Sequence, residues 1–424
     1  MAKKKQELSP EERLAAALVP EEEQPYQLPE GWKWVYLGKM CQFIGGGTPS
    51  KSRSEYWNGD VPWASIKDVK GDYLSQTIDT ITESGVENSA TNICPRGSLI
   101  VATRIEPGKT IIANIDTAIN QDLKYIQSDI NVKFLHRYFQ ASKQYFINKS
   151  SGSTVLGIKL KVLQESLLPL PSQSEQQRIV ARIESLFAKL DAAKAKVQSV
   201  LDAHEARKAA LLHEAIMGKF IGTGEREWKP LSEIVDLIRI GPFGSALHKE
   251  DYIHDGIPVV NPQYIVNQEI CPDNRKSISE SKADSLSAYK MCVNDIIIGR
   301  RGEMGRTAPV GEREAGWLCG TGCMLLRLKK EYNANFYSRV IASQQSKQYL
   351  EAHAVGSTMK NLNEKIIRNL PVPIYSVSEQ QEIARILDRL LDREEKVRQS
   401  AESVLESIDR MKQSILARAF RGEL

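Results

Sequence analysis

Two kinds of hydrophobic spacing alternate along the chain. After Ser174, residues Ile179, Ile183, Leu186, Leu190, Ala193, Val197, Val200, His204 and Leu211 hold a 4,3 rhythm, and after Ser378 it returns in Ile383, Leu387, Leu390, Val397, Ala401, Val404, Ile408, Met411 and Ile415. The rhythm predicts two coiled-coil seams, each on a helix of about 44 residues, or about 65 Å at 1.5 Å per residue. Both helices open on the letters SEQQ. Ser174 with Gln177, and Ser378 with Gln381, fit a capping box, in which the serine accepts from the N3 amide and the glutamine reaches back to the N-cap amide. Between the seams the period changes. Short β-rich runs such as "SLIVAT", "TIIANI", "DIIIGR" and "GCMLLRL" are separated by Gly, Pro, Asn and Asp clusters, with helical stretches at "VKFLHRYFQASKQYFI" and "ANFYSRVIASQQSKQYL". Near the start, "SPEERLAAALVP" predicts a short helix capped by Ser9, with Pro10 at its first position and Glu12 completing the box.

The repetition extends beyond the seams. At an offset of 204, "GSTVLGI" (152–158) answers "GSTMKNL" (356–362), SEQQ answers SEQQ, and "LLHEAIMGKF" (211–220) answers "ILARAFRGEL" (415–424). Looser matches join "WVYLGKMCQFIGGG" to "WKPLSEIVDLIRIG", and "GSLIVATRIEPGKT" to "NDIIIGRRGEMGRT". The expected fold class is therefore α+β: two tandem mixed α/β domains, each followed by a long helix, the helices forming an antiparallel coiled coil with pseudo-two-fold symmetry. The expected boundaries are an N-terminal arm at 1–30, domains at 31–171 and 222–371, and helical regions at 172–221 and 372–424. One polar mismatch sets the register. Glu394 stands where the first helix has Leu190, and His204 and Arg207 stand where the second has Ile408 and Met411, so a His204, Arg207 and Glu394 layer is expected across the seam.

Composition narrows the function classes. The 424 residues are 41% hydrophobic and 26% charged, and no apolar run approaches the roughly 18 residues of a membrane span. The opening "MAKKKQELSPEERL" has no apolar core of a secretory signal, so a cytoplasmic location is expected. Six scattered cysteines suit reduced thiols, with "CGTGC" (319–323) reading as buried thiols and not as a zinc site. Net charge is only +4, with 16 basic against 12 acidic residues over 31–171 and 20 against 18 over 222–371. Any grip on nucleic acid must therefore be local to a few loops or shared with a partner.

Several stretches mimic catalytic motifs. "NPQY" at 261 resembles an amino-methyltransferase signature but has Gln263 in place of the second proline. "GKT" at 108 lacks the glycine a phosphate loop needs, since residue 103 is Thr103. Asp273 followed by "ESK" at 280 echoes a metal-dependent nuclease, but in a polar stretch without an obvious sheet core.

Taken together, "LPEGWKWVYLG", "GGGTPSKSRSEYWNGDVPW", "LPLP" with "SEQQRI", "LPVP" with "SEQQEI" and the terminal "RAFRGEL" resemble the specificity subunit of type I restriction-modification enzymes, over nearly the whole chain. The resemblance implies two target recognition domains, each reading half of a split asymmetric site in double-stranded DNA, and helical regions that set the spacer and dock two methyltransferase subunits. It implies no catalytic centre and no cofactor in this chain. S-adenosylmethionine would be held by the methyltransferase partner, and ATP and Mg by two restriction-translocase subunits where the host encodes them. The second domain departs from the pattern, with "GPFGSALHKEDYIHDGIPVV" in place of the glycine-rich loop. The competing expectations are a stand-alone DNA methyltransferase or nuclease with duplicated domains, and a coiled-coil scaffold that binds no DNA.

Duplication sorts the candidate contacts. Features common to both copies cannot by themselves distinguish two half-sites, so they are scaffold, phosphate contacts or docking. Arg104, Glu106, Gly108 and Lys109 match Arg301, Glu303, Gly305 and Arg306. This basic hairpin is read either as an internally paired turn or as a phosphate clamp of Arg104, Lys109, Arg301 and Arg306, with Arg300 extra. The "GST" turns at 152 and 356 offer amides and hydroxyls in the same way, or simply break a helix. Base reading belongs where the copies differ: Lys51, Arg53 and Tyr56 beside Gly45–Gly47, whose glycines permit close backbone approach, and His248, Lys249, Asn261, Gln263 and Tyr264 in the second domain.

Overall fold

A computed structural model describes residues 9–222, 226–243, 246–356 and 360–424. Its internal contacts divide the chain into two units, 1–197 with 403–424, and 198–402, so each unit holds one segment of each long helix.

In the first unit a five-stranded sheet runs in the order Gln42–Gly45, Leu123–Gln127, Leu99–Ala102, Thr110–Ala113, Tyr73–Leu74. A four-stranded sheet runs Asp79–Ile81, Trp57–Ala64, Thr117–Ile119, Asn92–Cys94. The second unit repeats the plan, with Val235–Ile240, Cys323–Leu328, Asp295–Gly299, Thr307–Pro309 in one sheet and Tyr252–Ile253, Ser277–Ile278, Ile257–Val260, Leu318–Cys319 in another. The second-named sheet of each unit contains a parallel pair, Trp63 opposite Ala118 and Val259 opposite Leu318. A two-stranded ribbon closes each domain, joining Lys33–Tyr36 to Leu167–Leu170 and Trp228–Pro230 to Pro371–Pro373.

The runs "LIVA" and "DIII" are continuously apolar because both faces of these strands are covered. Leu99 and Val101 join a core with the helices while Ile100 and Ala102 join a second core on the other face. Ile296 and Ile298 are divided from Ile297 in the same way. The long helices are rooted in these cores: Ile179, Ile183, Leu416 and Phe420 in the first unit, and Ala215, Ile216, Ile383 and Leu387 in the second. Each such large side chain contributes about 1.5–3 kcal/mol by leaving water.

Within each unit the helices run antiparallel. Lys194 pairs with Asp409 at 3.0 Å and Lys412 with Asp191 in the first; Arg207 pairs with Glu394 at 2.8 Å and Tyr375 reaches the carbonyl of Ile216 at 2.7 Å in the second. The second long helix is continuous from Val377 to Phe420, but the first is two segments, Gln173–Asp202 and His204–Ile216, not one helix of about 44 residues. The break falls at the polar layer. Arg207 donates to Glu394 and also to the Val200 carbonyl at 3.0 Å, taking up an acceptor at the end of the first segment. His204 is buried, with Nδ1 3.7 Å from Glu394 and without a hydrogen-bond partner.

The seam is rotated from the expected one. Most of its positions are as expected, including Ile183, Leu190, Val197 and His204 on one helix and Ala401, Ile408 and Ile415 on the other. The alternate positions move by one residue, to Phe187, Lys194 and Leu201, and to Arg398, Leu405 and Lys412. Ala193, Val200, Val397, Val404 and Met411 consequently face outward. The long stems of Lys194 and Lys412 supply the missing apolar contact while their ammonium groups pair at the edge, and Lys412 Nζ lies 5.0 Å from the Phe187 ring centroid.

The caps are also displaced. The serines that accept from the first helical turn are Ser172 and Ser376, through Glu175 and Glu379 N–H at 3.4 Å, not Ser174 and Ser378. Only the second is a full box, with Glu379 Oε2 accepting from Ser376 N–H at 2.9 Å; Gln177 and Gln381 are exposed and take no part. The reason is visible in the next residue. This start turns Gln176 and Gln380 inward, where both are buried and tie the helix to the domain. Asn131 N–H donates to Gln176 at 3.0 Å and Asn333 N–H to Gln380 at 2.8 Å.

The short N-terminal helix has its expected box, with Ser9 N–H on Glu12 at 2.8 Å and Glu12 N–H on Ser9 at 3.2 Å. The arm that follows packs on the end of the second long helix, where Tyr26 donates to the Phe420 carbonyl at 3.1 Å.

Candidate nucleic-acid interface

The basic hairpin is present in both units, and each copy lies beside its "GST" loop. In the first, Leu99–Ala102 and Thr110–Ala113 flank the turn, and Arg104 forms an antiparallel bridge to Gly157, which in turn bridges Ser151. In the second, Arg301 bridges Asn361, which bridges Val355. The glycines are dictated by packing. Gly108 has φ +82° and a Cβ there would come within 2.7 Å of Phe146; Gly305 has φ +76° and would meet Lys347 at the same distance. Gly152 and Gly356 take positive φ at the loop starts, and Ser153 and Thr154 are exposed. Ser357 and Thr358 of the second "GST" lie outside the described residues.

The cations of the hairpin are paired but reachable. Arg104 is 3.4 Å from Asp122, Lys109 is 2.6 Å from Glu106, and Arg306 is 3.1 Å from Glu303. Lys347 and Arg306 together hold the Glu303 carboxyl below its ordinary range. Exposed pairs of this kind are worth about 0–1 kcal/mol, so exchanging the carboxylate for a phosphate costs little. Arg301 is exposed, whereas Arg300 is partly buried, donates to the Leu362 carbonyl at 3.2 Å, and has its pKa lowered by burial and then by Arg301. Arg300 therefore braces the adjoining loop.

The glycine-rich loop of the first unit approaches the protein's own backbone. A Cβ on Gly46 would fall 2.0 Å from the Ile119 carbonyl oxygen, and one on Gly47 2.6 Å from Ala90; Gly241 in the second unit meets Gly320 in the same way at 1.9 Å. Lys51 and Arg53 are exposed on the following turn. Tyr56 is buried, its hydroxyl accepting from Arg53 at 3.4 Å with the guanidinium 5.7 Å from the ring centroid, so it supports Arg53 from beneath and does not reach outward. In the second unit His248, Lys249 and Gln263 are exposed. Asn261 is turned inward, accepting from Gly322 N–H at 3.4 Å, and Tyr264 is buried. Arg306 donates to the Pro262 carbonyl at 3.1 Å, which joins the Asn261 turn to the hairpin.

A polar cluster beneath the first hairpin has no sequence signal. Thr110 Oγ1 lies 2.8 Å from His136 Nδ1, His136 Nε2 lies 3.1 Å from Asp72, and Arg137 and Gln140 add contacts to Asp72 at 2.7 and 3.2 Å. The His136 and Arg137 contacts hold the Asp72 carboxyl well below its ordinary range. Asp72 stands 64 positions from His136, so no local spacing joins them. The cluster borders a cavity of about 490 Å³ whose wall includes Ile105, Lys109, Phe139 and Leu156.

The family model of the type I restriction modification DNA specificity domain matches residues 29–201 and 225–403, the two repeats in turn. The chain belongs to that family. It is 25% identical over 422 residues to the type I restriction enzyme EcoBI specificity subunit of Escherichia coli, covering 93% of this chain and 86% of that one. It is 27% identical over 308 residues to the type I restriction enzyme MjaIX specificity subunit of Methanocaldococcus jannaschii, covering 67% and 69%. Among solved structures it shares its fold with a chain of a type I R-M system, at TM-score 0.68 and 20% identity over 94% of this chain and 100% of that one. It also shares it with the HsdS subunit from Thermoanaerobacter tengcongensis, at TM-score 0.63 and 20% identity over 95% and 100%.

In this type I specificity chain the motif-like stretches serve the fold. "NPQY" is a short turn, Pro262–Tyr264. Lys109 and Thr110 of "GKT" sit in the hairpin. Asp273 caps its own turn and pairs with Arg275, while Lys282 pairs with Asp251 at 3.1 Å. Cys319 and Cys323 are buried, and burial pushes the Cys319 thiol up to about 12. Among the described residues no helix is long and apolar enough to cross a membrane.

Proposed function

We propose that this type I specificity subunit reads a bipartite asymmetric site in double-stranded DNA, one half with each unit, without chemistry of its own. The observation that carries the reading is the recurrence of one basic hairpin beside one glycine-led loop in both units, while the exposed turns nearby differ in residue and in length. Arg104, Lys109, Arg301 and Arg306 then grip phosphates, and Lys51 and Arg53 in one unit and His248, Lys249 and Gln263 in the other address bases. Tyr56, Arg300, Asn261 and Tyr264 support those contacts from within.

In this reading the recognition domains are 31–171 and 222–371, the arm is 1–30, and the helical regions 172–221 and 372–424 set the spacer and dock two methyltransferase subunits. The methyltransferase holds S-adenosylmethionine, and up to two restriction-translocase subunits use ATP and Mg, all in the cytoplasm. The test is to purify the chain with and without methyltransferase subunits and to profile the methylated sequences genome-wide. A bipartite asymmetric motif produced only with the partner supports the reading. Methylation or cleavage by the chain alone would replace it with a stand-alone enzyme, and loss of all sequence selection with a scaffold.

A further inference from the structure

The tip of the first hairpin holds an exposed β-branched residue in a backbone conformation suited to glycine. Ile105 has φ +69° and its side chain is 48% exposed. The turn closes over three residues, Glu106 N–H donating to the Arg104 carbonyl at 2.8 Å, a strained reversal for any residue with a Cβ. The second hairpin meets the same demand without strain, by Gly302 at φ +83°. The scaffold therefore asks only for positive φ, and the isoleucine side chain answers something else.

Its surroundings suggest what. Ile105 N–H donates to the Leu156 carbonyl at 2.8 Å, which sets Ile105 beside Val155 and Leu156, themselves 42% and 40% exposed. Arg104 precedes this aliphatic tip and Lys109 closes the same turn, so apolar surface projects between groups suited to phosphates. An aliphatic side chain carried between cations is suited to touching base surfaces, either by entering a base step or by packing on a thymine methyl.

We propose that Ile105, backed by Leu156, makes apolar contact with the bases of the first half-site and gives the first unit a specificity-determining residue that the second lacks. The proposal rests on the DNA-reading function above. It is tested with the full chain in complex with its methyltransferase partner, comparing wild type, I105G and I105V on duplexes mutated in either half of the methylated motif. Because glycine relieves the turn, I105G should keep or raise the melting temperature while losing about ten-fold of its discrimination in the first half-site only. I105V should keep that discrimination. Higher 2-aminopurine fluorescence in one step with wild type and not with I105G would assign a base-step contact; loss on replacing one thymine by uracil would assign a methyl contact.

If I105G discriminates as wild type does, or if it loses methyltransferase binding with half-site choice intact, the proposal is overturned and the DNA-reading function stands. If wild type itself selects no bipartite motif, that function fails as well.

Discussion

In the first unit the buried Gln176 makes two ties, accepting from Asn131 N–H at 3.0 Å and donating to the Pro171 carbonyl at 3.0 Å. In the second, Gln380 makes three, accepting from Asn333 N–H at 2.8 Å and donating to the carbonyls of Tyr375 and Glu331 at 2.8 and 3.1 Å. The third bond exists in the first unit too but comes from another residue, Gln173, which donates to the Asp129 carbonyl at 2.6 Å, and the opposite helix end shows the same kind of substitution. The carbonyls of Phe420 and Ile216, equivalent by the repeat, each accept from a tyrosine hydroxyl, but Tyr26 comes from the N-terminal arm and Tyr375 from the chain just before the second long helix. The duplication has kept the bonds that root each helix and let the residues that make them drift. What is common to the units is thus a set of satisfied polar groups, more than a set of letters.

The sharpest way to break that comparison is to remove the glutamines. Each lost tie leaves a buried donor or acceptor unmet, so Q380A should cost about 3 kcal/mol and Q176A about 2 kcal/mol. Hydrogen exchange in Asp295–Gly299 and in Leu99–Ala102 would read the two units separately. Equal losses would show that the third bond of Gln380 contributes nothing.

The helical seam gives a second contrast. At the positions where the second unit has Glu394, His204 and Arg207, the repeat has Leu190, Ile408 and Met411. Replacing Glu394 alone by leucine removes the carboxylate from Arg207 and should cost about 2 kcal/mol, since an unpaired cation remains beside a half-buried layer. The triple variant H204I/R207M/E394L, which copies the first unit, should recover that loss or gain on wild type. Denaturant midpoints at constant slope would check both, and a triple variant less stable than E394L would show that the polar layer stabilises outright.

These contrasts also show how much was legible in advance. The repeat, the long helices and the mixed α/β domains follow from periodicity and self-comparison, because those signals are summed over many residues. Apolar spacing alone misplaces the alternate seam positions by one residue, because the stems of Lys194, Arg398 and Lys412 occupy the contact and only their charged ends lie outside. The Asp72, His136 and Thr110 cluster was not legible, since it joins three separate elements and no local spacing marks it. Tyr56, Asn261 and Tyr264 have the donors and reach of base readers in the sequence, yet Tyr56 and Tyr264 are buried and Asn261 turns inward. Whether such a group turns inward is decided by neighbours far along the chain, such as Gly322 for Asn261.

The caps carry the smallest contrast and the most local one. Both helix starts offer two serines in alternate positions, "SQSE" and "SVSE", and either register satisfies a pattern search. The structure chooses the earlier serine because that register places a glutamate at N3, near the positive end of the helix, and buries the following glutamine. The two copies then diverge: Glu379 returns a bond to Ser376 N–H, whereas Glu175 turns to Arg178 at 2.8 Å. A reciprocal box should therefore lose more than a single cap. S376A should cost about 1 kcal/mol and S172A about 0.5 kcal/mol, while S174A and S378A stay close to zero. Thermal unfolding of the four variants would decide the register, and a loss at Ser174 or Ser378 as large as that at Ser376 would restore the later serine as the cap.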